Sequence, residues 1–167
     1  SEKCGSRDLM ALCSVLMALV VGLSPFWLGS NRPLPWAGNA MAIGFVLAAI
    51  AIALLVEGRR YPPIKTGVIL FPLLLIAAGL SWALVQILPL GALLPEHPAW
   101  GVAGEALGQE LTGMISINPS ETRWALLRWT TAAAVLIGSY FLARKDSNAN
   151  ILLNGMLFMM SVAALYA

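Results

Sequence analysis

Apolar residues run almost unbroken through five stretches of the chain, and short polar or charged segments separate them. The stretches cover about residues 9–28, 37–56, 67–88, 119–143 and 151–167. Each comes close to the ~20 helical residues needed to cross roughly 30 Å of hydrocarbon. Inside lipid every backbone N–H and C=O must be satisfied within its own segment. The pattern therefore predicts an all-α, polytopic transmembrane helix bundle of about five spans, forming one transmembrane domain over residues 1–167. The first stretch runs on through Pro25 and Phe26 to Trp27, longer than the apolar core of a cleaved signal peptide. A retained membrane anchor is expected there.

The one sizeable polar connection is residues 89–118. Its middle, "AWGVAGEALGQEL", reads as a short amphipathic helix lying on the membrane interface. Trp100, Val102, Ala106, Leu107 and Leu111 are expected near one side, with Glu105, Gln109 and Glu110 largely opposite. The span that follows has a marked start in "INPSETRW". Asn118 suits the N-cap, Pro119 the first helical position, and Glu121 stands where it can reach back to the cap N–H. Within the spans, Ala40, Gly44 and Ala48 recur every four residues, as do Gly79 and Ala83. Such spacing predicts close helix packing within the chain. Asn39, Gln86 and Asn154 fall near span ends and call for no functional explanation.

Composition strengthens the membrane reading. Of 167 residues 59% are hydrophobic and 11% charged, against about 25% charged in an ordinary soluble domain. The distribution of charge sets orientation. Lys3, Arg7, Arg59, Arg60, Lys65, Arg144 and Lys145 belong to one side, and only Arg32, Arg123 and Arg128 to the other. Lysine and arginine favour the cytoplasmic side, so the N-terminus is expected there. The turn "NRPLPW" and the 89–118 connection then face outward, and Trp27, Trp36, Trp100, Trp124 and Trp129 fall at or near that outer boundary.

Candidate chemistry is sparse. Cys4 and Cys13 have neither the number nor the spacing of a disulfide framework or a metal site. The single histidine, His97, reads as a loop surface residue. No glycine-rich phosphate loop, no cofactor motif and no basic stripe interleaved with aromatics is present, so neither a cofactor nor nucleic acid is expected. The outward arginines are the best candidates for lipid or phosphate binding: Arg32, Arg123 and Arg128. Arg32 is braced between Pro33 and Pro35, and its planar fork suits phosphate oxygens. Arg128 lies about one and a half turns into its span, four residues after Trp124 on the same face, within cation–π reach. The plainer alternative is that these arginines touch bulk lipid headgroups.

Three stretches carry a family resemblance: "PFWLGSNRPLPWAGNA", "SWALVQILPLGALLP" and "ISINPSETRWALLRWTTAAAVLIGSYFLAR". Their order and spacing resemble the N-terminal portion of bacterial O-antigen ligase-like and polysaccharide polymerase membrane proteins. There an arginine-proline turn follows the first span, a "Q-x-x-P-L" stretch closes the third, and an "S-x-x-P-x-x-T" stretch opens the fourth. The resemblance spans roughly residues 20 to 145. It implies a multi-pass protein of the bacterial inner membrane that handles lipid-pyrophosphate-linked glycans on the outer side. It also implies that the catalytic region lies in later spans and a large outer loop, so this chain is expected not to be catalytically complete by itself. Partners implied are membrane lipids and a lipid-linked glycan. The alternative is a non-catalytic subunit that packs with other membrane proteins in a photosynthetic or respiratory complex.

The charge asymmetry generates a topological test. In a variant cleared of Cys4 and Cys13, a membrane-impermeant thiol reagent added outside should label Pro98→Cys and Ser30→Cys and miss Arg59→Cys. Labelling at position 59 from that side would reverse the topology.

Overall fold

The computed structural model describes residues 2–28, 33–57, 62–90 and 93–166. Among these residues the regular structure is six helices and no strand: α1 (Glu2–Leu28), α2 (Pro33–Glu57), α3 (Thr66–Ile87), α4 (Ala99–Leu107), α5 (Pro119–Ala143) and α6 (Asp146–Tyr166). The all-α expectation holds. Four of them, α2, α3, α5 and α6, are long and apolar enough to cross a membrane. The chain is a multi-pass helical membrane protein. The fifth expected span, α1, is 27 residues long, but its apolar part among the described residues is the shorter stretch Leu9–Ser24.

Helix ends follow local chemistry more than hydrophobicity. Hydrophobicity alone places the start of the last helix at Ile151, whereas α6 starts at Asp146. The N–H groups of Asn148 and Ala149 donate to the Lys145 carbonyl at 3.0 and 2.9 Å. Asp146 stands in the first turn, where the helix dipole favours an acid.

The chain divides into two compact units, residues 1–69 with 131–167, and residues 70–130. The first is built on α1. Met10, Cys13, Ser14, Met17 and Ala18 are buried along one face, at the spacing of a single helical stripe. The Ser14 hydroxyl donates to the Met10 carbonyl at 3.0 Å, which satisfies the one polar group in that stripe. α2 answers with buried Ile43, Val46, Ile50 and Ala53, whose alternating steps of three and four make a coiled-coil-like seam.

Close approaches in this unit occur at three glycines. Gly22 of α1 lies against Met159 of α6, and Gly155 of α6 lies against Ala18 of α1, where an added Cβ would stand 2.8 Å from the Ala18 Cβ. These two pairings advance in the same direction, so α1 and α6 run parallel. Gly138 of α5 faces Met17 and Leu47, and a Cβ there would stand 2.5 Å from Met17 Cε and 2.9 Å from Leu47 Cδ2.

That corrects the expectation for the small-residue repeats. A Cβ added at Gly44 or Gly79 would meet nothing within 4 Å, and Ala48 is exposed as well. On α2 the reason is rotational. The large apolar residues 43, 46, 50 and 53 take the packed face, and residues 40, 44 and 48 lie on the opposite one.

One polar contact fixes the end of α5 in this unit. The Lys65 N–H donates to the Tyr140 hydroxyl at 2.8 Å, and that hydroxyl lies 3.2 Å from the Lys65 carbonyl, to which it can donate. Tyr140 thereby supplies the partner of the Lys65 N–H, while the Lys65 carbonyl also accepts from the Val68 N–H at 3.1 Å. The two segments it joins, before α3 and at the end of α5, belong to connections that carry same-side basic residues. Beside it, Arg144 sits over the Phe141 ring with its Cζ 5.5 Å from the ring centroid.

The α1–α6 approach should be sensitive to volume. Gly22→Leu must displace the Met159 stem, and overpacking of this kind costs about 1–3 kcal/mol. Gly44→Leu, in open space, should cost little. Thermal unfolding of both variants in one detergent checks the contrast; equal midpoints would mean that the helices do not meet at Gly22.

Candidate functional site

The second unit contains most of α3, the connection with α4, and the first half of α5. Its fold is held by hydrogen bonds that converge on one serine. The Ser116 N–H donates to the Gln86 carbonyl at 3.0 Å. The Ser116 carbonyl accepts from the Trp100 indole N–H at 3.2 Å. The Ser116 hydroxyl pairs with the Thr122 hydroxyl at 2.8 Å. A single residue thus joins the end of α3, the face of α4 and the start of α5. Gln86, Ser116 and Thr122 belong to the two short stretches, "Q-x-x-P-L" and "S-x-x-P-x-x-T", noted in the sequence.

His97 braces the same connection. Its N–H donates to the Met114 carbonyl at 2.9 Å, and its Nδ1 accepts from the Ala99 N–H at 3.2 Å, which puts the ring proton of the neutral form on Nε2. It is half-buried, a loop residue whose ring hydrogen bond lies at the surface. Next to it the Glu96 side chain lies over buried Gly113, where an added Cβ would collide with the carboxylate.

α4 confirms the short helix but not its expected extent or face. It ends at Leu107 because Gly108 adopts the left-handed conformation, φ 63°. The Gly108 and Gln109 N–H groups then donate back to the Glu105 and Gly104 carbonyls, closing a Schellman motif. Trp100, Ala103 and Gly104 are the half-buried positions, while Val102 and Leu107 are 68% and 64% exposed. Val102 and Ala106 lie about 200° and 240° round the wheel from Trp100. They therefore face away from the side that the Trp100 indole fixes against Ser116.

The start of α5 is as the sequence predicts, with one difference. The Glu121 N–H donates to the Asn118 side-chain oxygen at 3.3 Å, and the Thr122 N–H to the Asn118 carbonyl at 3.2 Å. Asn118 is the N-cap and Pro119 the first helical residue. Glu121 is exposed, and among the described residues its carboxylate does not return to the cap. The Thr122 hydroxyl instead lies 3.3 Å from the Asn118 carbonyl, to which it can donate, and pairs with the Ser116 hydroxyl.

This platform presents two of the three candidate arginines. Arg123 is exposed in the first turns of α5, and Arg128 is half-buried one and a half turns further on. Arg128 is engaged with a neighbour and shares its face with half-buried Trp124. Five residues separate Arg123 from Arg128, about 7.5 Å along the axis and 140° around it. A long side chain at Arg128 can close much of that axial gap by extending toward the helix start. Arg32, the third candidate, lies outside the described residues. Among the described residues there is no group of histidines, cysteines and acids with the makings of a metal site.

Sequence reasoning missed Ser116 as the organising residue, and Tyr140 in the other unit. Ser116 opens the "S-x-x-P-x-x-T" stretch, but its partners Gln86 and Trp100 lie far along the chain, and no local pattern marks Tyr140. Comparison with protein-family models, with curated proteins and with solved structures gives no match for this chain.

The cap can be tested in place. Asn118→Ala should cost about 0.5–2 kcal/mol, concentrated in the first turn of α5. Amide exchange at Ser120 to Arg123 should speed up, while exchange in α6 stays as it was; no change at the first turn would mean that Asn118 is not the cap.

Proposed function

We propose that the start of α5 is a phosphate-binding platform for an anionic membrane-anchored ligand on the outer side of a bacterial inner membrane. The ligand class is a lipid-pyrophosphate-linked glycan, and the chain serves as the N-terminal bundle of an O-antigen ligase-like transferase. The observation that carries this reading is the anchoring of α5 by Asn118, Ser116 and Thr122, with exposed Arg123 and half-buried Arg128 just beyond. A pyrophosphate offers only acceptors, and a guanidinium only donors in a planar fork. The positive end of the α5 dipole adds to the same field. Fixing the helix start before the ligand arrives lowers the entropy lost on binding. In this role the chain binds and orients the carrier diphosphate, the leaving group of glycan transfer. No proton transfer or nucleophile is assigned to its residues.

A second reading, a non-catalytic subunit of a larger membrane complex, draws on the outward faces. α3 has no buried residue, and exposed Gly44 and Ala48 of α2 offer a surface that another helix can approach closely.

Binding separates the two. With the chain in nanodiscs of phosphatidylcholine, a polyprenyl pyrophosphate should bind, and Arg128→Gln should weaken it by roughly ten- to a hundredfold. Each lost charge-assisted hydrogen bond is worth about 1.5–3 kcal/mol, and 1.4 kcal/mol is tenfold. Arg128→Lys should recover part of the loss. An equal affinity for phosphatidylglycerol, equally reduced by the substitution, would reduce the site to ordinary headgroup contact. No binding, together with migration of the chain in a large native complex, would favour the subunit.

A further inference from the structure

A cleft of about 290 Å³ lies between α1 and α2, lined by Val20, Leu23, Ser24, Pro35, Gly38, Asn39 and Ala42. Its size is at the lower end for small-molecule sites. Most of the lining is apolar, and the exceptions are Ser24 and Asn39. No hydrogen bond to either side chain is present among the described residues, although both are half-buried.

Depth gives these two residues their meaning. Ser24 is four residues before the end of α1 and Asn39 six residues after the start of α2, about 6 and 9 Å along the helices. At that level in a span, water is scarce and an unmet polar group is expensive. Both side chains can donate, and neither is charged. The group that suits them is an uncharged acceptor with a hydrocarbon tail running further into the membrane past Leu23, Val20 and Ala42. A phosphate would need a cation beside it, and among the described residues none that lines the cleft is charged.

The geometry points to a bound glycerophospholipid, one acyl chain in the α1–α2 cleft and its ester carbonyl on Asn39 and Ser24. This site is separate from the α5 platform and does not depend on that reading. Its occupant is recognised by an ester and a straight chain, not by charge. An open Gly38 suits such a ligand: nothing lies within 4 Å of where its Cβ would be, so a chain can lie against the α2 backbone.

The test uses the whole chain in phosphatidylcholine nanodiscs doped with a phosphatidylcholine that carries a diazirine on one acyl chain. After irradiation, label should concentrate on the peptides that contain Val20–Ser24 and Gly38–Ala42. Ala42→Trp fills the cleft and should lower that labelling about tenfold, while Gly44→Leu, on the open face of α2, should leave it as in the parent. Asn39→Leu keeps the size but removes the donor, and should lower labelling by about threefold. Helix content by circular dichroism must match the parent in each variant; Gly38→Leu replaces Ala42→Trp if the latter fails to fold. Four outcomes overturn the proposal. Labelling spread evenly over α2 and α3 means bulk lipid only. Labelling unchanged in the filled variants means that the chain is not in the cleft. An unlabelled cleft in the parent means that the protein itself fills it. Displacement of the probe by equimolar polyprenyl pyrophosphate, with no displacement by unlabelled phosphatidylcholine, means that the occupant is a prenyl carrier.

Discussion

Helix backbones can approach to within a side chain's thickness only where one of them lacks a side chain, and the residues 1–69 and 131–167 depend on that constraint. α1 meets α6 at Gly22 and Gly155, and α5 presents Gly138 to Met17. In lipid the hydrophobic effect does little to drive apolar helices together, because the tails outside are as apolar as the core. Tight packing, with its many small dispersion contacts, takes its place. Methionine is suited to the opposite side of such contacts, since its unbranched chain adapts to the space available. Met17 and Met159 both serve that way.

Polar bonds complete what packing cannot. Residues 70–130 have a different organisation, in which Ser116 ties three elements by its N–H, carbonyl and hydroxyl. Tyr140 does similar work in the other unit by pairing with both backbone groups of Lys65. Each interaction satisfies backbone groups at an irregular segment next to a helix end, the Lys65 N–H among them. The start of α5 is consequently held from several directions, and a held helix start is what a phosphate-binding reading requires.

Function enters through three features of different standing. The α5 platform joins residues of two motif-like stretches that are thirty positions apart, and it carries Arg123 and Arg128 beyond them. The outward small residues of α2 and the unburied α3 belong to the surface facing lipid or another helix. The α1–α2 cleft combines an apolar channel with two uncharged donors at the depth of a lipid ester. The proposed charge-based and ester-based sites thereby concern separate parts of one chain.

Hydrophobic run length and backbone satisfaction determined the all-α class and the approximate spans from sequence alone. The cap at Asn118 and Pro119 was equally legible, because a cap is a local arrangement among neighbours within four residues. Sequence could not choose between two stripes on the same helix. Ala40, Gly44 and Ala48 look as ready to pack as Ile43, Val46 and Ile50, and only the facing surfaces of α1 and α5 decide for the latter. Nor could it choose the face of α4, where the pairing of Trp100 with Ser116 across sixteen residues sets the rotation and leaves Val102 outside. Asn39 likewise reads as an ordinary span-end polar residue until Ser24 is found lining the same cleft. What is decided locally can be read along the chain; what is decided by a neighbour from elsewhere in the chain needs the tertiary structure, because only there do the competing faces meet.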